Sequence, residues 1–126
     1  MAKLPEAALK AWDEHEGPAV FTTVDREGLP NTIYVTWVKV ITEDKMVVAD
    51  NKFSKTRANI LAGTKASILY ITKERKAFQV KGSIDYMTEG EFYNDMKNNW
   101  LPKKFAGNAT AVLNVEEVYS GAEKLA

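Results

Sequence analysis

A chain of 126 residues with 17 Lys+Arg against 17 Asp+Glu lacks the basic excess that usually marks a duplex-binding domain. It has no cysteine and a single histidine, His15, which excludes disulfides, thiolate nucleophiles and metal centres rich in histidine or cysteine. The length suits one domain and no apolar run is long enough to span a bilayer, so no membrane association is expected and the expected setting is the cytoplasm.

Leu4, Ala8, Ala11, Trp12 and His15 recur at helical spacing behind Pro5, and Gly17-Pro18 ends that helix. Trp12 is expected as a core anchor and His15 at the helix end. The β-branched run from Ala19 to Asp25 is a strand, turned by Arg26-Glu27-Gly28. NTIYVTWVKVI, from Asn31 to Ile41, reads as one long strand. Ile33, Val35 and Trp37 lie on one of its faces and Tyr34, Val38 and Val40 on the other, which predicts cover on both sides. Thr42-Glu43-Asp44-Lys45 is a polar turn.

The stretch Met46 to Gly63 follows. An apolar strand (Met46 to Ala49) passes through Asp50–Phe53 into a helix opened by Ser54 and ended by Gly63, with Phe53 and Ala58 placed for a hydrophobic staple. Lys55, Thr56 and Arg57 fill the first turn. Free backbone N–H groups beside a lysine and a hydroxyl describe a phosphate seat. The two cations oppose the helix dipole, at roughly 0.3–1 kcal/mol each, unless an anion compensates.

Ala66 to Thr72 and Ala77 to Tyr86 read as strands joined by the charged turn Lys73-Glu74-Arg75, and Gly82 predicts a bulge or sharp bend. Thr88-Glu89-Gly90-Glu91 has the form of a capping box, with Phe92, Met96 and Trp100 at i, i+4 and i+8 and Pro102 closing the helix. Thr110 to Val115 is the last strand expected, and the tail from Tyr119 is small and polar. The sum is a mainly β chain of about six strands, largely antiparallel, closing into a small barrel with peripheral helices.

Asn31-Thr32-Ile33-Tyr34 places hydrogen-bonding groups beside a flat aromatic slot suited to a planar heterocycle. Gln79 and Lys81 share one strand face. Phe105 follows Pro102-Lys103-Lys104 on a loop. No acid–base constellation stands out, so any chemistry is expected to come from a bound cofactor.

The order of a polar strand end, W-V-K-V, then V-V-A-D-N-K-F-S-K-T-R-A-N-I-L and F-Q-V-K-G resembles the FMN-binding split-barrel family. That family groups pyridoxamine 5'-phosphate oxidase-like proteins with the small FMN-binding proteins of anaerobic bacteria. The resemblance implies a single domain over residues 1–126, a six-stranded antiparallel split barrel, and a homodimer with one FMN per subunit at the interface. By position, Lys55 and Thr56 would hold the FMN phosphate with help from Ser54. Thr32, Ile33 and Tyr34 would run along the isoalloxazine, and Asn51, Lys52 and Phe53 would line its polar edge and the ribityl chain. Gln79 matches the family's polar strand residue, and Trp100 or Phe105 would pack on the ring. The segment Glu116 to Gly121 lacks a basic substrate segment. The resemblance therefore implies a small FMN-binding protein, acting in electron transfer to a redox partner or in flavin reduction through its FMN, not an oxidase of vitamin B6. The alternatives on the same fold are a deazaflavin or haem binder, or an interaction dimer. The lone histidine, far from the seat, argues against haem, and the neutral charge argues against single-stranded nucleic acid.

Overall fold

The computed structural model describes residues 2–126. Its elements run α1 (Glu6–Glu14), β1 (Ala19–Val24), β2 (Pro30–Val35), β3 (Val38–Thr42), β4 (Lys45–Asp50), α2 (Lys55–Leu61), β5 (Ala66–Ile71), β6 (Ala77–Met87), α3 (Glu91–Asp95), β7 (Ala109–Ser120) and β8 (Glu123–Lys124). A π-helical turn, Met96–Trp100, continues α3. The strands pair antiparallel in the order β2-β1-β5-β6-β7-β4-β3, with β8 added on β7.

That order dictates the shape. β2 and β3 occupy opposite edges of the sheet, yet only Thr36 and Trp37 separate them in the chain. The three Cα steps from Val35 to Val38 reach at most about 11 Å, far less than the width of a flat seven-strand path, so the sheet must curl until its edges meet. The result is a split barrel whose seam runs between β2 and β3. The single strand expected over Asn31 to Ile41 is therefore corrected to two. At Thr36 the chain leaves its partner β1 and joins β4, where Trp37 O accepts from Ala49 N at 2.9 Å.

Register assigns the faces, because directly paired residues share one. Ile33, Phe21, Ile68, Val80 and Val118 form a row across five strands and point inward, all but Ile33 fully buried. The adjacent row, Tyr34, Val20, Leu69, Gln79 and Tyr119, points outward. Tyr34 on that row is 75 % exposed, so the cover expected on the second face of this strand is not supplied from within the chain. Two-sided burial falls on β4 instead. Met46 and Val48 enter the barrel, and Ala49 packs under Met96 and Leu101. α1 closes one end, with Leu4 and Ala8 buried, Tyr70 Oη donating to Ala8 O at 2.8 Å, and Trp12 edge-on to Tyr70 and stacked on His15.

Gly82 sits at a bulge, as expected: the register between β6 and β7 shifts there, and a Cβ on Gly82 would lie 1.8 Å from Asn114 O. Other expectations are corrected. Among the described residues, eight strands replace about six. β7 continues beyond Val115 because the long β6 offers it a partner past the bulge, and β8 folds back from what was expected to be a plain tail. No capping box forms at Thr88; α3 starts after Gly90, whose φ of +98° suits glycine. Phe53 does not staple Ala58, which is exposed; it enters the core against Phe21 at 6.0 Å. Among the described residues, no helix is long and apolar enough to cross a membrane.

Candidate functional site

The site grows from the end of β4. Asp50 is fully buried there, at the point where an apolar strand must turn into a helix. Its Oδ1 accepts from Phe53 N at 2.9 Å, a local turn-making bond that an aspartate favours. Its Oδ2 accepts from Tyr86 Oη at 2.5 Å and lies 3.8 Å from Arg57 Nε. Burial, reinforced by the hydrogen bond to Asp50 and its charge, pushes the Tyr86 hydroxyl up to about 12.

With the turn set, alternate side chains separate. Phe53 goes into the barrel, while Lys52, Ser54 and Lys55 face solvent. The Ser54 hydroxyl makes no capping bond, and among the described residues Lys55 has no carboxylate partner. Thr56, 2 % exposed, accepts at Oγ1 from Asn31 Nδ2 at 3.0 Å. One turn on, Asn59 Nδ2 donates to Thr23 Oγ1 at 3.0 Å. These two bonds lock α2 onto β2 and β1.

The opposite wall is a loop pinned by backbone bonds. Asn51 Oδ1 accepts from Gly107 N at 2.9 Å, Asp50 O accepts from Asn108 N at 2.8 Å, and Lys97 Nζ donates to Ala106 O at 2.9 Å. Phe105 is thereby held against Trp37, ring centroids 5.5 Å apart. Between this wall and the seam lies a cavity of about 590 Å³, bounded by Ile33–Trp37, Ala49, Asn51–Phe53 and Phe105. A smaller one, about 260 Å³, lies over Val20 and Thr32–Tyr34.

The structure brings together most of the residues expected in the site. Thr32, Ile33, Tyr34, Asn51, Lys52 and Phe53 border the two cavities, and Ser54, Lys55 and Thr56 occupy the turn that follows directly. Gln79 stands apart. It shares the outward row with Tyr34 but lies three strands away, roughly 14 Å. Sequence reasoning missed Asp50 as an organiser and Trp37 as a cavity wall. Only the turn-forming habit of aspartate hinted at the first, and nothing local marks the second.

An aromatic cavity beside hydroxyl and ammonium donors can hold a flat ring that carries an anionic tail. Among the described residues, no group of three His, Cys, Asp or Glu could hold a metal ion. The sequence model of the pyridoxamine 5'-phosphate oxidase family matches residues 5–123. The chain belongs to the pyridoxamine 5'-phosphate oxidase family. A relative in Methanocaldococcus jannaschii, an uncharacterised protein, is 27 % identical over 125 residues, covering 95 % of this chain and 82 % of its own. A crystal structure of a putative pyridoxamine 5'-phosphate oxidase from Lactobacillus delbrueckii is 18 % identical, covers 94 % of both chains and superposes with a TM-score of 0.80. An FMN-binding protein from Syntrophomonas wolfei, 20 % identical, covers 81 % of this chain and 75 % of its own with a TM-score of 0.67. The split barrel of this oxidase-family chain is thus the fold of those structures.

Proposed function

We propose that this protein binds FMN, as a cytoplasmic homodimer, and passes electrons between the flavin and a separate redox partner. The observation that carries the reading is the continuity of the site: the aromatic cavity at the seam runs through Asn51–Phe53 into the Ser54–Thr56 turn, and the Asn31–Thr56 bond ties that turn to the cavity's strand. The residues present fit the cofactor. Thr56 Oγ1 already accepts a hydrogen bond, which leaves its proton for an anion, and the Ser54 hydroxyl and Lys55 ammonium are unspent. Lys55, Thr56 and Ser54 would hold the phosphate, and Asn51, Lys52 and Phe53 would line the ribityl chain. Thr32, Ile33 and Tyr34 would present strand backbone to the ring. Bound FMN supplies one- and two-electron chemistry; the chain positions it and limits access of water.

The outward row supports the homodimer. Tyr34 and Leu69 are large, apolar and exposed at 75 % and 39 %. A dimer packed through this face covers both and carries Gln79 of each subunit toward the cavity of the other.

Protein purified without added cofactor should be yellow and release a fluorescent flavin on boiling, and light scattering should give the dimer mass. Colourless protein that also fails to bind added FMN would sink the reading. Mass spectrometry of the released ligand separates FMN from a deazaflavin.

A further inference from the structure

The charges of this neutral chain are unevenly placed. Residues 51–65 and 96–115, which supply the turn and the far wall of the site, carry seven of the 17 bases and none of the 17 acids. Part of that charge is answered. Lys65 pairs with Glu116 at 2.6 Å, Arg57 lies beside Asp50, and the phosphate of a bound flavin answers Lys55. Lys97 is turned onto its own loop, its Nζ donating to Ala106 O at 2.9 Å. Lys52, Lys103 and Lys104 are exposed, and among the described residues none of them meets a carboxylate.

These three cations gather around one ring. Lys52 and Phe105 border the same cavity. Lys104 Nζ lies 5.4 Å from the centre of the Phe105 ring, and Lys103 lines a small cleft with Phe105. Phe105 borders both the seam cavity and that cleft, so at this point the wall of the site is one side chain thick. Electron transfer slows steeply with the distance between two centres, so a thin wall is where a redox protein gains most by docking. None of the three lysines lies on the outward row of Tyr34, Leu69 and Gln79, so the dimer face does not call on them. Exposed charges act over about 10 Å at ordinary salt and raise the encounter rate with an oppositely charged partner. They also select the partner by sign and orient it before contact.

We infer that Lys52, Lys103 and Lys104 form the docking surface of an acidic electron-transfer protein, whose redox centre comes to rest over Phe105. The exchange of electrons rests on the flavin reading; the docking of an acidic protein does not. One electron moves at each encounter. Two encounters therefore carry the flavin between its oxidised and reduced forms, and its protons are exchanged with water.

The test uses plant-type ferredoxin, an acidic one-electron carrier, and cytochrome c, a basic one. At low salt, ferredoxin should shift or broaden the amide NMR signals of Lys52, Lys103, Lys104 and Phe105 first, and cytochrome c should leave them unmoved. This arm needs no flavin. In the flavin-loaded protein, reduction by ferredoxin should slow roughly tenfold between about 10 and about 200 mM salt, and oxidation by cytochrome c should not slow. The double variant Lys103→Gln, Lys104→Gln, altered only at exposed residues, should cut the ferredoxin effect below about threefold and weaken the shifts with it. Shifts centred elsewhere on the chain, an equal response to both carriers, or a salt effect unchanged in the variant overturns the inference. Tighter binding of a single-stranded oligonucleotide at the same residues overturns it too, because the patch is then a nucleic-acid surface. Protein that stays colourless with added FMN fails the flavin reading alone and leaves the NMR arm to decide the docking surface.

Discussion

Asn31 Nδ2 donates to Thr56 Oγ1 across 3.0 Å, and this bond joins a sheet edge to a helix start 25 residues further along. It also fixes the threonine's polarity: the oxygen accepts from the amide, so the hydroxyl proton is left to point toward an anion. Thr56→Val keeps the shape and removes both functions. The variant should lose about 1 kcal/mol in chemical denaturation, because the half-buried amide donor of Asn31 goes unanswered. FMN should bind about tenfold more weakly, as for one lost hydrogen bond to a charged group. Thr56→Ser should restore most of the affinity. Valine and wild type with equal dissociation constants would place the phosphate elsewhere.

Lys55→Ala tests the same seat from the charge side. The lysine is exposed and touches no carboxylate, so its loss should leave folding within about 0.5 kcal/mol. FMN binding should weaken by about 1.5–3 kcal/mol, and the wild-type advantage should shrink as salt is raised. Fluorescence titration of FMN at two ionic strengths reads both.

The Tyr86–Asp50 pair predicts an alkaline limit. Tyr86 is held protonated in the folded chain up to about 12, whereas in the unfolded chain a tyrosine ionises near about 10. The stability that this shift represents is fully present below pH ~10 and is lost as pH rises through about 12. Burial pushes Tyr70 in the same direction. Urea midpoints should therefore fall across that window, and Tyr86→Phe should flatten the fall without abolishing it. At neutral pH the same variant should cost about 1–3 kcal/mol, since a fully buried carboxylate loses a donor. A pH profile identical to wild type would remove Tyr86 from the network.

Gly82→Ala should be among the most damaging small changes available. The added methyl would sit 1.8 Å from Asn114 O, which is backbone and cannot rotate away. Either the bulge straightens and β7 slips, or the strands separate; about 3 kcal/mol or more is expected in thermal or chemical unfolding. A loss under 1 kcal/mol would show that the bulge relaxes freely.

The site was readable to an uneven degree, and the unevenness follows distance along the chain. Ser54, Lys55 and Thr56 stand out because capping chemistry and charge at a helix start are local properties. Gly82 is legible for the same reason. The break at Thr36–Trp37 is not, since Tyr34, Val35, Trp37 and Val38 alternate like one strand; only the sheet order, a property of eight segments together, forces the chain to change partner there. Asp50 looks like a turn residue until Tyr86, 36 residues on, reaches it. The helix-start end of the candidate site was therefore visible early, and its organising carboxylate and aromatic wall emerged from the fold.

The seam between β2 and β3 carries a further consequence. A barrel that is hydrogen-bonded everywhere except along one line has a built-in zip, and its two unpaired edges are the places where another strand could add. Any molecule lodged in the cavity along that line acts as a fastener. Occupancy and sealing are one equilibrium viewed from two sides. Backbone amides flanking Thr36 and Trp37 should exchange with solvent fastest in the empty protein and slow first as a ligand is added. Chains kept short of cofactor during expression should be the ones that join edge to edge and come out of solution.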